Sequence, residues 1–392
     1  MTQKSACPSA NWSYPTSVRF GAGRLNELPE ACALAGIKRP LLVTDPGLAK
    51  LPMVRRALDL LTAAGLDPGL FSALKPNPVY GNVADGIAAL KSGGHDGVVA
   101  MGGGSALDTG KAIAFQAGQR RPIWDFEDVG DWWTRADADA IRPVVAVPTT
   151  AGTGSEVGRA AVILNEATAR KYIIFHPKMM PRVVISDAEL TVGLPPHITA
   201  ATGMDALAHN LEAYCSPSYH PLAEGIALEG MRLIKEWLPV AYRDGANLAA
   251  RGNMLSAASM GAAAFQKGLG AIHAMSHPIG AVYDSHHGLT NAVVMPYVLL
   301  RNRAAIAEKM ARTARYLGLR EGSFEAMLEW VLELRRTLAI PHTLAALGVA
   351  EARIPELAKM AAEDPNNGGN PPPLAAADYE QLFAAALHGR LG

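Results

Sequence analysis

Asp205, His209, His273 and His287 lie in a stretch that is otherwise largely Ala, Gly and Leu, a composition with little reason to hold charge or imidazole unless these groups do chemistry. One carboxylate with several imidazoles is a hard-to-borderline donor set suited to Fe(II), Zn(II) or Mn(II), and the absence of cysteine argues against a structural zinc knot. The segment TAATGMDALAHNLEAY, Thr199 to Tyr214, has no internal proline and is rich in Ala and Leu, so it should be helical. Asp205 and His209, four apart, then share one face. Further on, Gly268 to Ala292 carries His273 and His277 at the same spacing, followed by Pro278 and by His286 and His287 on a Gly-flanked loop. Spacing alone pairs His273 with His277. Any one of these histidines reads as a core or capping residue; the whole set in one half of the chain points to a metal centre.

A second chemistry is written earlier. GVVAMGGGSALDTGKAIAF, Gly97 to Phe115, reads as a buried strand, three glycines and a helix. Glycines there let the backbone approach a pyrophosphate, which the free N–H groups and positive end of the helix attract. Ser105 with Asp108 three later also resembles a capping box, so part of the motif serves to start the helix. Asp45 ends an earlier candidate strand, where an acid can bond ribose hydroxyls and repel a 2′-phosphate, favouring NAD over NADP. Taken alone, it reads equally as a turn or cap before Pro46. A second loop, PTTAGTGSEVGR from Pro148 to Arg159, offers hydroxyls and mobile backbone after another strand. No G-x-G-x-x-G follows the first strand, so this is not the usual Rossmann fingerprint.

The elements that must position these residues divide the chain. The first half alternates β-branched runs with amphipathic segments, the pattern of parallel strands joined by helices. Candidate strands are Pro40 to Asp45, Gly97 to Gly102, Pro143 to Pro148 and Arg182 to Asp187; VRRALDLLTAAG and VADGIAALKSGG read as helices that end at glycine. Beyond about Leu194 long Ala/Leu/Met-rich helical patterns take over, such as Pro221 to Leu238 and Phe324 to Ala339. The boundary falls near Val192 to Pro196. This gives an α/β, Rossmann-like dinucleotide-binding domain over 1–194 and an all-helical metal-binding domain over 195–392. The DPNNGGNPPP stretch, Asp364 to Pro373, reads as a turn-rich connection.

Composition narrows the partners. With 392 residues, two domains are the expectation. Lys plus Arg and Asp plus Glu are both 36, with no dense basic run, which argues against nucleic acid. Cys7, Cys32 and Cys215 show no CxxC spacing and suit free thiols in a reducing cytoplasm. No apolar run approaches the roughly 20 residues that span a bilayer, and no signal core opens the chain.

These residues together resemble the iron-containing, group III, alcohol dehydrogenases. The resemblance is carried by VTD with Asp45, PNP with Asn77, GGGSALDTGKAIA, PTTAGTGSEV, KY with Lys171, GMDALAH, and HAMSHPIGAVYDSHHGLTNAVVMPY, with spacings intact from about Phe20 to beyond Tyr297. It implies an α/β dinucleotide-binding domain, a helical metal domain, and an active site between them. It assigns the metal, Fe(II) or else Zn(II), to Asp205, His209, His273 and His287, and so replaces the His273–His277 pairing with His273 and His287. His277 then sits beside the metal, facing the substrate or a proton path. NAD is implied against Asp45, Asn77, Gly103, Gly104, Ser105, Thr149, Thr150, Thr153, Lys171 and Leu190. His286 has no place in the family pattern. Where the family often shows Asn-Pro-Arg, Asn370 is followed here by Pro371, Pro372 and Pro373, in a loop expected to border the substrate cleft.

The expected chemistry is hydride transfer between a small primary alcohol, diol or hydroxy acid and NAD, with the metal polarising the substrate oxygen. The runner-up is a zinc polyol dehydrogenase of the glycerol type, or a cyclase resembling dehydroquinate synthase. The cyclase needs cations near the metal to grip a phosphate, and only Lys267 stands close in the sequence. A homodimer or larger homo-oligomer is implied by the resemblance.

Overall fold

The computed structural model describes residues 10–12 and 14–391; Cys7 lies outside them. Two compact units emerge, one of residues 1–150 and 154–193, the other of 151–153 and 194–392.

The first unit is built on a seven-stranded sheet. Its strands are β1 (Ala10–Trp12), β2 (Ser17–Phe20), β3 (Pro40–Val43), β4 (Gly69–Phe71), β5 (Gly97–Gly102), β6 (Val144–Pro148) and β9 (Val183–Ser186), in the order β1-β2-β9-β6-β5-β3-β4. Only β1 is antiparallel to its neighbour. Every residue of β3, β5, β6 and β9 is buried, because helices cover both faces, and such strands read as continuous apolar runs. On one face Val99 and Met101 of β5 pack with Leu42, Val145, Val147 and Ile185 against α1 (Leu28–Ala35) and α2 (Pro52–Ala63). The alternate residues Val98 and Ala100 face α4 (Gly104–Gln116), whose Gly110 has no room for a Cβ, which would lie 2.7 Å from that of Ala100. A neighbouring helix, α3 (Tyr80–Ser92), meets α4 through Gly86 at Ile113. A hairpin of β7 (Ala160–Asn165) and β8 (Arg170–Phe175) stands apart from the main sheet.

The second unit is helical: α5 (Pro196–Cys215), α6 (Pro221–Arg243), α7 (Leu248–Ala264), α8 (Ala271–Tyr283), α9 (His287–Tyr316), α10 (Phe324–Thr337), α11 (Ile354–Ala362) and α12 (Ala376–His388). From Gly203 to Cys215 every residue of α5 is buried, so this helix is a core element wrapped by others rather than an amphipathic one. Glycines let its neighbours close on it. Gly230 of α6 and Gly261 of α7 approach Asn210 so tightly that a Cβ would overlap the amide. Among the described residues no helix is long and apolar enough to cross a membrane.

Candidate active site

Three segments of the second unit bring the candidate ligands together. Asp205 and His209 project from one face of α5, His273 from the first turn of α8, and His287 opens α9. One ligand atom from each lies within 4.8 Å of every other. Asp205, His209 and His273 are buried and His287 is half-buried. The His209 and His273 rings stack at 4.6 Å, and His287 packs on His273 at 5.2 Å. Burial pushes His209 down to about 4, which leaves a neutral imidazole with a lone pair to give. Burial also opposes charge on His273, but the adjacent Glu212 carboxylate outweighs it and the net displacement is upward.

Polar partners fix three of the four donors, Asp205, His273 and His287. Glu212 Oε2 meets His273 Nδ1 at 2.5 Å, and Ser276 Oγ meets His287 Nδ1 at 3.2 Å, so both rings keep Nε2 for the centre. Asn291 Nδ2 donates to Asp205 Oδ1 at 2.7 Å and lies 3.3 and 3.2 Å from Nε2 of His273 and His287. An electropositive amide among three converging lone pairs marks the spot as one that seeks positive charge. The donor set, its neutrality at His209 and its oriented Nε2 atoms fit a divalent ion.

His277 is one turn further along α8. Its ring stacks on His287 at 5.6 Å, and its Nδ1 lies 2.8 Å from Asp364 Oδ2. A carboxylate only accepts, so Nδ1 carries the hydrogen and Nε2 is left for exchange. Burial disfavours the Asp364 charge, yet His277 and the bonds from Asn366 hold its carboxyl below the usual range. The turn around Asp364 thus meets the site through Asp364 and Asn366. Asn370 is buried, accepts from the Ala271 N–H at the start of α8, and pairs with Asn302. Lys267 is also turned away. Its ammonium donates to the carbonyls of Ala213 and Tyr214 at the end of α5 and pairs with Glu224. His286 caps α9, accepting from the Leu289 N–H.

In the first unit the candidate dinucleotide residues collect at the carboxyl edge of the sheet. Asp45 follows β3, Gly103 and Gly104 follow β5, Thr149 and Thr150 follow β6, and Leu190 lies in the turn after β9. The chain leaves β3 toward β4 and leaves β5 toward β6, so the Asp45 and glycine loops diverge at a topological switch point, where open parallel sheets bind ligands. Gly102 has φ of 150° and a Cβ there would lie 2.6 Å from that of Ala106; only glycine turns the chain at this point. Lys171 Nζ donates to Asn77 Oδ1 at 2.8 Å, joining two of the candidates. Thr153 belongs to the second unit, where the adjoining Gly152 lies against Thr202.

One expectation changes on this edge. The cap of α4 is Gly103, without a side-chain bond, which places Ser105 inside the first turn rather than at the cap. Asp108 instead accepts from Ser155 Oγ at 2.5 Å and the Val162 N–H at 3.0 Å, and Lys111 donates to the Ser155 carbonyl at 2.9 Å, so this pair braces the second loop. Asp45 does act as a turn residue, since Oδ1 accepts from Gly47 and Leu48, while Oδ2 lies toward Gly102.

Residues 15–188 match the sequence family described as iron-containing alcohol dehydrogenase, and residues 199–387 match the Fe-containing alcohol dehydrogenase family, C-terminal. The chain belongs to the iron-containing alcohol dehydrogenase family. It is 37% identical over 383 residues to 4-hydroxybutyrate dehydrogenase of Cupriavidus necator, covering 95% of this chain and 99% of that one. It is 35% identical to the NAD-dependent methanol dehydrogenase of Bacillus methanolicus, over 96% of this chain and all of the relative. The crystal structure of a 1,3-propanediol oxidoreductase superposes with a TM-score of 0.90 at 37% identity, covering 94% of this chain and 97% of that one. As an iron-containing alcohol dehydrogenase the protein is an oxidoreductase of CH–OH donors; its relatives include an NAD-dependent enzyme, and its own His/Asp cluster offers four donor atoms to a metal ion. The cyclase and glycerol-type readings are not favoured, and Lys267, the one cation that stood close in the sequence, is engaged at the end of α5.

Sequence reasoning missed Glu212, Asn291 and Asp364. Glu212 carried a usable signal: positions 205, 209 and 212 share one helical face.

Proposed function

We propose that the protein interconverts a small primary alcohol, terminal diol or hydroxy acid with its aldehyde, using NAD, at a metal held by Asp205, His209, His273 and His287. The observation that carries this is the convergence of those four ligand atoms within 4.8 Å in a buried, oriented shell. When bound, the ion supplies Lewis-acid polarisation of the substrate oxygen and the nicotinamide supplies the hydride acceptor or donor. The chain's own residues do the rest. Asp205 lowers the net charge of the shell relative to an all-imidazole set. Ser276 holds His287, and Asn291 holds the Asp205 carboxylate. His277, kept in one tautomer by Asp364, takes or returns the alcohol proton at Nε2. Fe(II) is the ion proposed, with Zn(II) as the alternative outcome. The test is anaerobic purification with elemental analysis, followed by NAD reduction on short primary alcohols, diols and hydroxy acids. Metal near one per chain with turnover on at least one of these classes is expected; metal-loaded protein inert on all of them sinks the reading.

The dinucleotide is proposed to bind along the carboxyl edge of the first unit, against Asp45, Asn77, Gly103, Gly104, Ser105, Thr149, Thr150, Lys171 and Leu190, and Thr153 is proposed as a further contact. Asp45 Oδ1 is committed to its turn, so selection against a 2′-phosphate falls to the charge and to Oδ2. Asp45→Gly is expected to move the NADP-to-NAD ratio of kcat/KM by about tenfold toward NADP, equivalent to roughly 1.4 kcal/mol. An unchanged ratio retires the assignment. A homodimer or larger assembly and a cytoplasmic setting complete the proposal. Cys32 and Cys215 suit the latter: both are buried free thiols pushed up to about 12 by burial, hence unreactive.

A further inference from the structure

His273 differs from its fellow candidates in having a buried carboxylate on its outer nitrogen. Glu212, one turn beyond His209 on α5, is buried and receives two donors at once. Its Oε1 accepts the Ile272 N–H at 2.7 Å, one of the unpaired amides in the first turn of α8, and its Oε2 meets His273 Nδ1 at 2.5 Å. Room for this is made by Gly270, where a Cβ would stand 3.0 Å from Oε1. One side chain therefore fixes both where α8 begins and which way the ring of its third residue turns.

We propose that Glu212 is a positioning residue for His273: by accepting from Nδ1–H while tied to the α8 backbone, it locks the tautomer and ring orientation that present Nε2 to the metal. This rests on the metal reading above. The decisive feature is that both partners of Glu212 are donors, so only a carboxylate satisfies them together. A glutamine offers one acceptor and one donor. It either turns its NH2 on the Ile272 N–H, or presents that NH2 to Nδ1 and forces the hydrogen onto Nε2, which then cannot ligate. The second outcome disables His273 without removing it.

The test measures zinc affinity by competition with a chromophoric chelator in wild type, Glu212→Gln, His273→Ala and the double variant, with the unfolding midpoint of each metal-free protein. Glu212→Gln is expected to weaken zinc by about 10- to 100-fold. Adding it to His273→Ala should change affinity less than about twofold, because nothing is left to position. Wild-type affinity in Glu212→Gln overturns the proposal, and so does an equal loss in both backgrounds, which would mark a general packing effect. Wild-type affinity in His273→Ala strikes instead at the metal reading. Should Glu212→Gln fail to fold, 15N-histidine spectra of the zinc-loaded wild-type protein decide the matter. The His273 signals, identified by their loss in His273→Ala, must show hydrogen on Nδ1; hydrogen on Nε2 overturns the proposal.

Discussion

Asp205→Ala lowers kcat/KM by on the order of 10³-fold or more, and the purified variant carries well under one metal ion per chain. Asp205 is the only anion among the four converging donors, so its loss leaves three imidazoles to hold a divalent cation in a buried pocket with no anionic ligand. The same substitution strips Asn291 Nδ2 of its acceptor at 2.7 Å, a buried loss of about 1–3 kcal/mol, so the second unit should melt a few degrees lower. The first unit has no part in this shell. Binding of NADH, followed by its fluorescence, should therefore survive at close to wild-type affinity, which separates a missing ligand from general misfolding. His273→Ala should behave likewise in turnover and metal content. Full turnover of Asp205→Ala, or of wild type after stringent chelation, would remove the metal from the mechanism altogether.

How much of this could be read from the chain depends on how local each interaction is. Asp205 and His209 stood out because four-residue spacing on one helix puts them on a common face, and the surrounding Ala and Leu gave them contrast. The same rule pairs His273 with His277 on α8. The group that converges with Asp205, His209 and His273 is His287 at the start of α9, a meeting that exists only in tertiary packing and that the resemblance had named. Glu212 was overlooked for a related reason: a glutamate on a helix is ordinarily solvated, and nothing in the sequence says that α5 is enclosed on all sides. The parallel strands β3, β5, β6 and β9 were legible because both faces are covered and they read as unbroken apolar runs. By contrast β4 is only three residues long, β2 opens on an exposed residue, and β7 and β8 mix buried with half-buried positions. At the glycine loop, the spacing of Ser105 and Asp108 suggested a local capping box. Asp108 is spent on Ser155 and Val162, far along the chain, which local spacing has no means of showing.

Gly288→Ala provides the sharpest test of how the ligand shell is held, because two ordinary rules give it opposite signs. Exchanging glycine for alanine in a helix interior favours folding by up to about 1 kcal/mol on propensity alone. Gly288, however, is the second residue of α9, and a Cβ there would lie 2.4 Å from the Ala201 carbonyl oxygen and 2.9 Å from Asp205 Cβ. The first of these is backbone, which has no rotamer to yield. The helices α5 and α9 must then separate, and they carry Asp205 and His287 respectively. Overpacking of this kind costs about 1–3 kcal/mol, which exceeds the propensity gain. The variant should therefore unfold at a lower temperature than wild type when both are metal-free, and bind zinc on the order of tenfold more weakly, since the separation falls between two of the four donors. Gly225→Ala is the matched control: it lies exposed on α6 with nothing within 4 Å of the added carbon, so propensity acts unopposed and a small rise in Tm with unchanged zinc affinity is expected. If Gly288→Ala instead follows the control in both measurements, the close approach of α5 and α9 is not what sets the spacing of the site.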